Sequence, residues 1–360
     1  MKLFKCTVIV LGCMTILGCG GGGGEGIDDD PEIRDYSAIF KSLPTTPFYP
    51  VNNKYNGAKE RLGEFLFWDP ILSGNYNTSC ASCHHPDLGW ADGRAFSIGS
   101  DGIGLGESRY GVQVTDIHAP TIMNVAYTGI LNDDVASDFI SGGYFWDLRA
   151  ETLEEQALGP IQNPVEMLGY DISEQDILGE VVTRLKAIPA YVELFEQAFG
   201  TTDAVNSENI AKAIATFERK IMTPNTRFDQ FLSGDTTALS AQEIIGLNKF
   251  IDGGCSRCHS GPMLSDNVLH EGEAIIGDTV VRSPSLRNIT YTAPYMHDGS
   301  RETLIDAIAA YEDKGDIDVD IGDGDFNDIE AFLKTLSTDE FFQEKPESLP
   351  SGLTVGGDIY

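Results

Sequence analysis

The sequence predicts a mainly α protein made of two related domains with long connecting loops. Three observations predict this class: an internal sequence repeat, helical spacing of apolar residues in several segments, and no sustained alternation with period two. The chain has 360 residues, which suits two domains of ordinary size. Its hydrophobic fraction of 41% is enough to bury a core, and this excludes disorder over the whole length.

The net charge is strongly negative. Acidic residues number 56 against 24 basic ones, and the formal charge is −32. Binding to phosphates needs Lys and Arg that displace counterions, so this balance excludes a nucleic-acid partner. It also argues against electrostatic docking onto anionic lipid.

The first residues have the pattern of an export signal. Lys2 and Lys5 precede an apolar run that is shorter than the about 20 residues of a membrane-spanning helix. The run ends at Leu17, Gly18 and Cys19, which resembles the bacterial lipobox, in which the cysteine is acylated. We therefore expect a lipoprotein-type signal over 1–19 and a lipid-anchored periplasmic protein, with plain secretory cleavage as the alternative. The glycine-rich stretch that follows predicts a flexible tether and lead-in over 20–50.

The rest of the chain carries the repeat that defines the two domains. Residues 119–128 return as 283–292, residues 144–147 return as 295–298, and the motif at 80–84 returns at 255–259. The order is kept while the spacing drifts, as two divergent copies of one domain would show. The expected divisions are a first domain over 51–230, a second domain over 231–345 and a tail over 346–360.

A helix is predicted before each Cys motif. Apolar residues at helical spacing from Leu62 to Leu66 indicate the first helix. Before the second motif, Ser240 and Glu243 form a capping box, and the helix must end at Gly253. Later helices are predicted over 174–199, 207–221 and 326–336.

The repeated motif, Cys-x-x-Cys-His, is typical of covalent haem attachment. Two thioethers hold the vinyl groups of the haem, and the adjacent histidine binds the iron as the proximal ligand. A zinc site would leave both histidines without a role, and a redox disulfide would need a βαβ setting that the sequence lacks. The predicted cofactors are therefore two haem c groups. The residues that would hold them are Cys80, Cys83, His84, Cys255, Cys258 and His259.

Several segments resemble the bacterial di-haem cytochrome c peroxidases and the MauG-type enzymes of the same superfamily. Besides the first haem motif, they are residues 66–70 (LFWDP), 145–150 (FWDLRA), 163–167 (NPVEM) and 293–299 (APYMHDG). The resemblance implies two cytochrome c-like domains related by duplication, with a calcium ion between them. It also implies that the N-terminal haem reduces peroxide and is served by the C-terminal haem.

The resemblance further implies which residues complete the second haem. Tyr311 stands where the family places the sixth ligand of the C-terminal haem; the peroxidases usually have Met there, and Tyr is similar to the MauG-type branch. Met296 and Met263 are the fallback ligands. The alternative is that Tyr311 is a core aromatic on a helix face that follows an N-cap at Ser300.

For the first haem, the sequence predicts an open sixth position. Pro160 occupies the repeat position of Tyr311 and cannot bind iron through its side chain. Peroxidases often supply a histidine from a loop after a Ser-Ile-Gly run, but Ser97–Ser100 contains none. His118 is the histidine that could approach this haem.

Two further residues match the family's catalytic positions. Glu166 matches its acid/base residue, which moves a proton during cleavage of the peroxide bond; the alternative is an ordinary helix-terminal glutamate after Pro164. Trp146 matches the aromatic residue between the two haems, and core packing is its alternative. The family's calcium would bind carbonyls that match Thr292 and Pro294 and a side chain at His118, although imidazole is a poor calcium ligand.

Together these features predict a periplasmic peroxidase that reduces hydrogen peroxide to water. Its electrons would come from a small cytochrome c or cupredoxin, whose basic patch would suit the acidic surface, and it would act alone or as a homodimer. One alternative is MauG-type oxidation of residues on a partner protein, which Tyr311 favours. The other is a di-haem electron carrier without peroxide chemistry, against which Pro160 and Glu166 argue.

Overall fold

Helices make up most of the regular structure. The computed structural model describes residues 31–130, 143–272, 277–312 and 319–360, so the predicted signal peptide and lipid anchor lie outside the described residues. None of the helices within these ranges is long and apolar enough to cross a bilayer. The helices are Gly57–Trp68 (α1), Leu153–Gln162 (α2), Ile177–Lys186 (α3), Pro189–Phe199 (α4), Ser207–Glu218 (α5), Arg227–Leu232 (α6), Ala241–Asp252 (α7), Leu304–Ala309 (α8) and Phe326–Lys334 (α9). An antiparallel pair of strands, Leu269–Gly272 (β1) and Gly277–Arg282 (β2), forms a hairpin.

The capping signals account for some helix ends but not for all. α7 begins after Ser240, whose hydroxyl accepts a hydrogen bond from the Glu243 N–H as the capping box predicts. The predicted helix over 174–199 is two helices, because Pro189 begins a new one and holds the preceding residue in an extended conformation. The N-cap predicted at Ser300 is wrong. Thr303 caps α8 through a capping box with Asp306.

Two large clusters of buried side chains form the core. The first contains α1 to α5 and the second contains α6 to α9. In each cluster, the helix before the Cys motif crosses a later helix at a glycine. A Cβ on Gly63 of α1 would lie 1.9 Å from the Ala213 carbonyl oxygen of α5, and one on Gly246 of α7 would lie 1.8 Å from the Asp328 oxygen of α9. The division into two cytochrome c-like domains stays a prediction that these clusters support.

The two ends of the described chain pack against the opposite clusters. Tyr36 and Phe40, from the lead-in, are buried in the second cluster. Leu349 and Ile359, from the tail, are buried in the first cluster, where the Gly356 N–H also donates to the Trp68 carbonyl at 2.8 Å. The terminal segments therefore connect the two halves of the chain.

The sequence repeat is accompanied by a repeat of local backbone structure. Asn124 and Asn288 occupy equivalent positions, and both adopt left-handed conformations, with φ of 64° and 57°. Both side-chain amides donate to the same hydroxyl oxygen, Thr223 Oγ1, at 2.7 and 2.5 Å. Leu148 has φ 57°, like its repeat partner Gly299 at 62°. Leu148 thus bears the steric cost of a position that favours glycine, about 1–2 kcal/mol.

A buried ion pair connects α6 to the segment that follows β2. The carboxylate of Asp229 accepts hydrogen bonds from both terminal nitrogens of Arg287, at 2.9 and 3.0 Å, and another from the Leu43 N–H. We expect Asp229→Asn to lower the free energy of unfolding by about 3–5 kcal/mol, because it leaves the buried guanidinium without its counter-charge. Urea denaturation measures the loss. The exposed control, Asp235→Asn, should change stability far less, and equal losses in the two variants would contradict the prediction.

Candidate active site

The two Cys-x-x-Cys-His motifs adopt the same backbone geometry. Each forms a short 3-10 turn, in which the histidine N–H donates to the carbonyl of the first cysteine. The distance is 2.9 Å from His84 to Cys80 and 3.0 Å from His259 to Cys255. The four cysteines of the two motifs form no disulfide bond among the described residues. Each turn therefore groups two thiols and one imidazole within five residues.

Both histidines are oriented by main-chain carbonyls. His84 Nδ1 lies 3.2 Å from the Trp90 oxygen, and His259 Nδ1 lies 3.1 Å from the Leu264 oxygen. Such a bond holds the imidazole by Nδ1–H and leaves Nε2 for a metal. Burial lowers the pKa of both histidines, which favours the neutral form that ligates iron. This set of donors fits a covalently attached haem at each motif.

Glu166 lies near the first motif. It belongs to the turn Pro164–Leu168, which Asn163 caps. The side-chain amide of Asn163 also donates to Glu166 Oε1 at 2.6 Å. Burial raises the pKa of the Glu166 carboxyl, although the positive charge of Arg149 and the Asn163 hydrogen bond oppose this. Burial raises the pKa of both Cys80 and Cys83, and the charge of Glu166 adds to the increase. The structure thus brings the predicted acid/base residue and the first motif together.

The loop Ser97–Ser100 packs directly on the Glu166 turn. The Ser100 N–H donates to the Val165 oxygen at 3.1 Å, and a Cβ on Gly99 would lie 1.9 Å from the same oxygen. Only glycine therefore permits this approach. The loop that supplies a histidine in many peroxidases reaches the Glu166 turn here without one.

Trp146 makes a hydrogen-bonded cluster with two histidines. Its indole Nε1–H donates to the His118 carbonyl at 2.8 Å, and the His118 N–H donates to the His297 carbonyl at 2.8 Å. The Trp146 and His297 rings meet edge to face, with centroids 6.5 Å apart. The residues that the repeat makes equivalent, Trp146 and His297, are thus in contact. Sequence reasoning assigned this position to Trp146 alone, although the repeat signalled His297 as its partner.

Tyr311 lies near the second motif, just after the end of α8. It packs against the second cluster, as does Cys255. Burial raises the pKa of Tyr311 to about 12, and negative charge at Cys255 and Cys258 would add to the increase. Of the fallback ligands, Met263 is buried in a small cluster with Tyr127, and Met296 has a left-handed φ of 72°.

The position predicted for calcium has an unsuitable side chain. His118 Nδ1 lies 2.7 Å from the Arg94 oxygen, so the imidazole is already engaged, and calcium prefers oxygen ligands. The calcium ion stays a prediction that rests on the carbonyls of Thr292 and Pro294, and no role is derived from it. Within the described ranges, side chains close enough to share a metal are those of Cys258, Asp266 and His270, and the resemblance assigns that cysteine to haem.

Comparisons with known proteins agree with the haem attachment that the geometry of the two Cys-x-x-Cys-His motifs indicates. The family model for the di-haem cytochrome c peroxidases matches residues 57–237. The chain belongs to the di-haem cytochrome c peroxidase family. As a family member it is an oxidoreductase of the peroxidase class, and membership implies haem c cofactors.

Relatives of both functional branches match most of the chain. The cytochrome c551 peroxidase of Nitrosomonas europaea is 35% identical over 82% of this di-haem peroxidase and 85% of the relative. The methylamine utilization protein MauG of Methylorubrum extorquens is 29% identical over 92% of this chain and 93% of its own. A solved structure of a MauG-like protein associated with microbial copper homeostasis has a TM-score of 0.66 and 28% identity, and the match covers 82% of this chain and 95% of that one.

One buried carboxyl of this di-haem peroxidase was missed by sequence reasoning. Glu218, the last residue of α5, is 5% exposed, and its Oε2 has no hydrogen-bond partner among the described residues. Burial raises its pKa from 4.5 to about 8, and its charge also acts on Cys80. The apolar spacing of α5 gives no sign that this glutamate points inward.

The raised pKa of Glu218 predicts a pH-dependent stability. Because the folded pKa exceeds the unfolded one, its contribution is fully present below about pH 4.5 and is lost as the pH rises through about 8. The loss is up to about 1.4 kcal/mol per pH unit within this window. Glu218→Gln should flatten the curve, as measured by urea unfolding from pH 5 to 8. The exposed control, Glu193→Gln, should keep the slope, and an unchanged slope in Glu218→Gln would refute the assignment.

Proposed function

We propose that the protein is a periplasmic, lipid-anchored di-haem peroxidase that reduces hydrogen peroxide to water with electrons from a small redox protein. One observation carries the proposal: the Glu166 carboxyl lies near the first motif, against a loop that contains no histidine. A haem held by Cys80, Cys83 and His84 would supply an iron that binds peroxide, and one held by Cys255, Cys258 and His259 would supply electrons to it.

The acid/base work is assigned to Glu166. Cleavage of the peroxide bond needs a proton to move from the inner to the outer oxygen. The Asn163 amide holds Glu166 Oε1, and Oε2 takes the proton and returns it. Burial raises the pKa of this carboxyl and so favours the form that holds the proton. In total, one peroxide takes up two electrons and two protons and gives two waters.

The difference between the two sites is assigned to Tyr311. Its phenolate oxygen would be the sixth ligand at the second motif, while Pro160 offers no ligand at the equivalent position of the first. Only the first site would then be open to peroxide. Trp146 and His297, whose rings are in contact, would carry electrons between the two sites.

Spectroscopy of the purified oxidised protein tests this proposal. We expect an EPR high-spin signal from one haem, which changes on addition of stoichiometric peroxide, and a His/Tyr low-spin signal from the other. Steady turnover of peroxide with a reduced small cytochrome c should follow. Two low-spin signals that peroxide leaves unchanged would contradict the proposal and support a di-haem electron carrier.

A second candidate is MauG-type oxidation of residues on a partner protein. It is favoured by Tyr311, the residue type of that branch, and by 29% identity to MauG over 92% of this chain. Reduced cytochrome c distinguishes the two functions. Consumption of peroxide with little oxidation of the cytochrome, together with a stable oxidised state of the protein, would favour the second candidate.

A further inference from the structure

The β1–β2 hairpin exposes large apolar side chains beside the second motif. Val268, Leu269 and Val280 are 49%, 41% and 40% exposed, and we call these three residues the hairpin patch. They lie on or next to the two strands, which pair in antiparallel register from Leu269 to Arg282. Exposed apolar residues that are grouped on one short element often mark a contact with another protein.

His270 connects the hairpin to the second motif. Its Nδ1 lies 3.9 Å from Cys258 Sγ, and its Nε2 lies 2.9 Å from Asp266 Oδ2. Asp266 is itself fixed, because its N–H donates to the Cys258 carbonyl at 2.7 Å. The imidazole is therefore held against the sulfur that would attach the haem, while its side chain stays 36% exposed. A partner protein in contact with His270 would be separated from this sulfur by a single side chain.

The charge around the patch indicates the kind of partner. Glu271 is exposed on β1, two residues after Leu269, and the whole chain has a formal charge of −32. Asp147 lies near the end of β2, because the Arg282 N–H donates to the carbonyl of the preceding residue, Trp146, at 2.8 Å, but it pairs with Arg149 at 2.9 Å and adds no net charge. Such a surface attracts a partner whose contact area is apolar at its centre and ringed by lysines.

We propose that a small electron-transfer protein of this kind docks on the hairpin patch and delivers electrons through His270. The proposal rests on the proposed function and names its donor site. Each encounter moves one electron: the metal of the donor is oxidised by one electron, the second site is reduced by one, and no bond forms or breaks. Two encounters supply the electrons for one peroxide.

Stopped-flow reduction tests the docking without peroxide. The oxidised holoprotein is mixed with a reduced small cytochrome c that has a lysine-ringed haem edge and a reduction potential below that of the second haem, and the second-order rate constant is measured. Leu269→Lys removes apolar contact and adds a repelling charge, so we expect the rate constant to fall about tenfold or more. The rate for the native protein should also fall with salt. Val112→Lys is the matched control and should leave the rate unchanged, since Val112 is 88% exposed and lies next to Gln113, whose carbonyl accepts from the Gly99 N–H of the Ser97–Ser100 loop at 3.0 Å.

The role of His270 is tested with a variant that separates electron transfer from docking. His270→Ala should lower the electron-transfer rate at saturating cytochrome, with little change in the concentration that half-saturates it. Reduction by a small-molecule donor should remain as in the native protein for both Leu269→Lys and His270→Ala, which also shows that the variants are folded.

Two results would overturn the proposal. One is an unchanged rate constant in Leu269→Lys, and a reduced one in Val112→Lys would in addition move the docking site towards the Ser97–Ser100 loop. The other is normal saturating transfer in His270→Ala. Failure of the proposed function looks different, because the native protein would then accept electrons from cytochrome but would not reduce peroxide with any donor.

Discussion

Glu166→Gln is expected to lower kcat for hydrogen peroxide reduction by about 10²–10⁴, the range typical of a lost general acid/base. Glutamine keeps the size of the side chain and can still pair with Asn163, but it cannot take a proton at Oε2. The binding of peroxide at the first site should change much less than kcat. The loss would therefore lie in the chemical step and not in access to the site.

The measurement is steady-state turnover, with haem content determined on the same samples. Glu174→Gln is a suitable control because Glu174 is exposed, and it should turn over at the native rate. The pH dependence of kcat adds a second readout. The change in kcat that accompanies titration of the Glu166 carboxyl should be absent in Glu166→Gln. A fall in kcat of less than tenfold would mean that another group moves the proton.

Tyr311→Met should change the second haem from a phenolate-ligated to a thioether-ligated centre. A neutral thioether stabilises the oxidised iron less than an anionic phenolate does, so we expect the reduction potential to rise by about 0.1–0.3 V, within the range over which axial ligands tune haem. Redox titration of the second haem measures the rise. The first haem should keep its potential, since Tyr311 lies by the other motif.

Tyr311→Phe provides the complementary test. It removes the ligand without a replacement, and the low-spin His/Tyr signal should be lost. The control is Tyr36→Phe, because Tyr36 is buried in the same cluster and its hydroxyl is engaged with Asn248 at 3.0 Å. Spectra of Tyr311→Phe that match the native protein would show that Tyr311 is only a core aromatic.

Local features of this protein could be predicted from the sequence because their causes are local. The capping box at Ser240 and the stop at Gly253 depend on residues within one or two helical turns, and both are found. Thr303 shows the limit of such signals. Ser300 and Thr303 are both good caps, and the choice between them depends on Asp306, which gives Thr303 the second bond of a capping box.

Features that depend on distant contacts could not be predicted in the same way. Glu218 is buried where its charge acts on Cys80, more than a hundred positions away along the chain, and no neighbour in sequence indicates that burial. The His118 N–H reaches the His297 carbonyl only because the two repeat copies meet. The haem motifs were predictable because five adjacent residues contain all of their chemistry.

The lead-in packs in the second cluster and the tail packs in the first, which has a practical consequence for expressing parts of the enzyme. A fragment cut near residue 230 would contain the first cluster without Leu349 and Ile359, which cover it, and a fragment starting there would lack Tyr36 and Phe40. Neither piece would be a self-sufficient single-haem protein. To express the halves separately, the tail would have to be joined to the first half and the lead-in to the second half through new linkers.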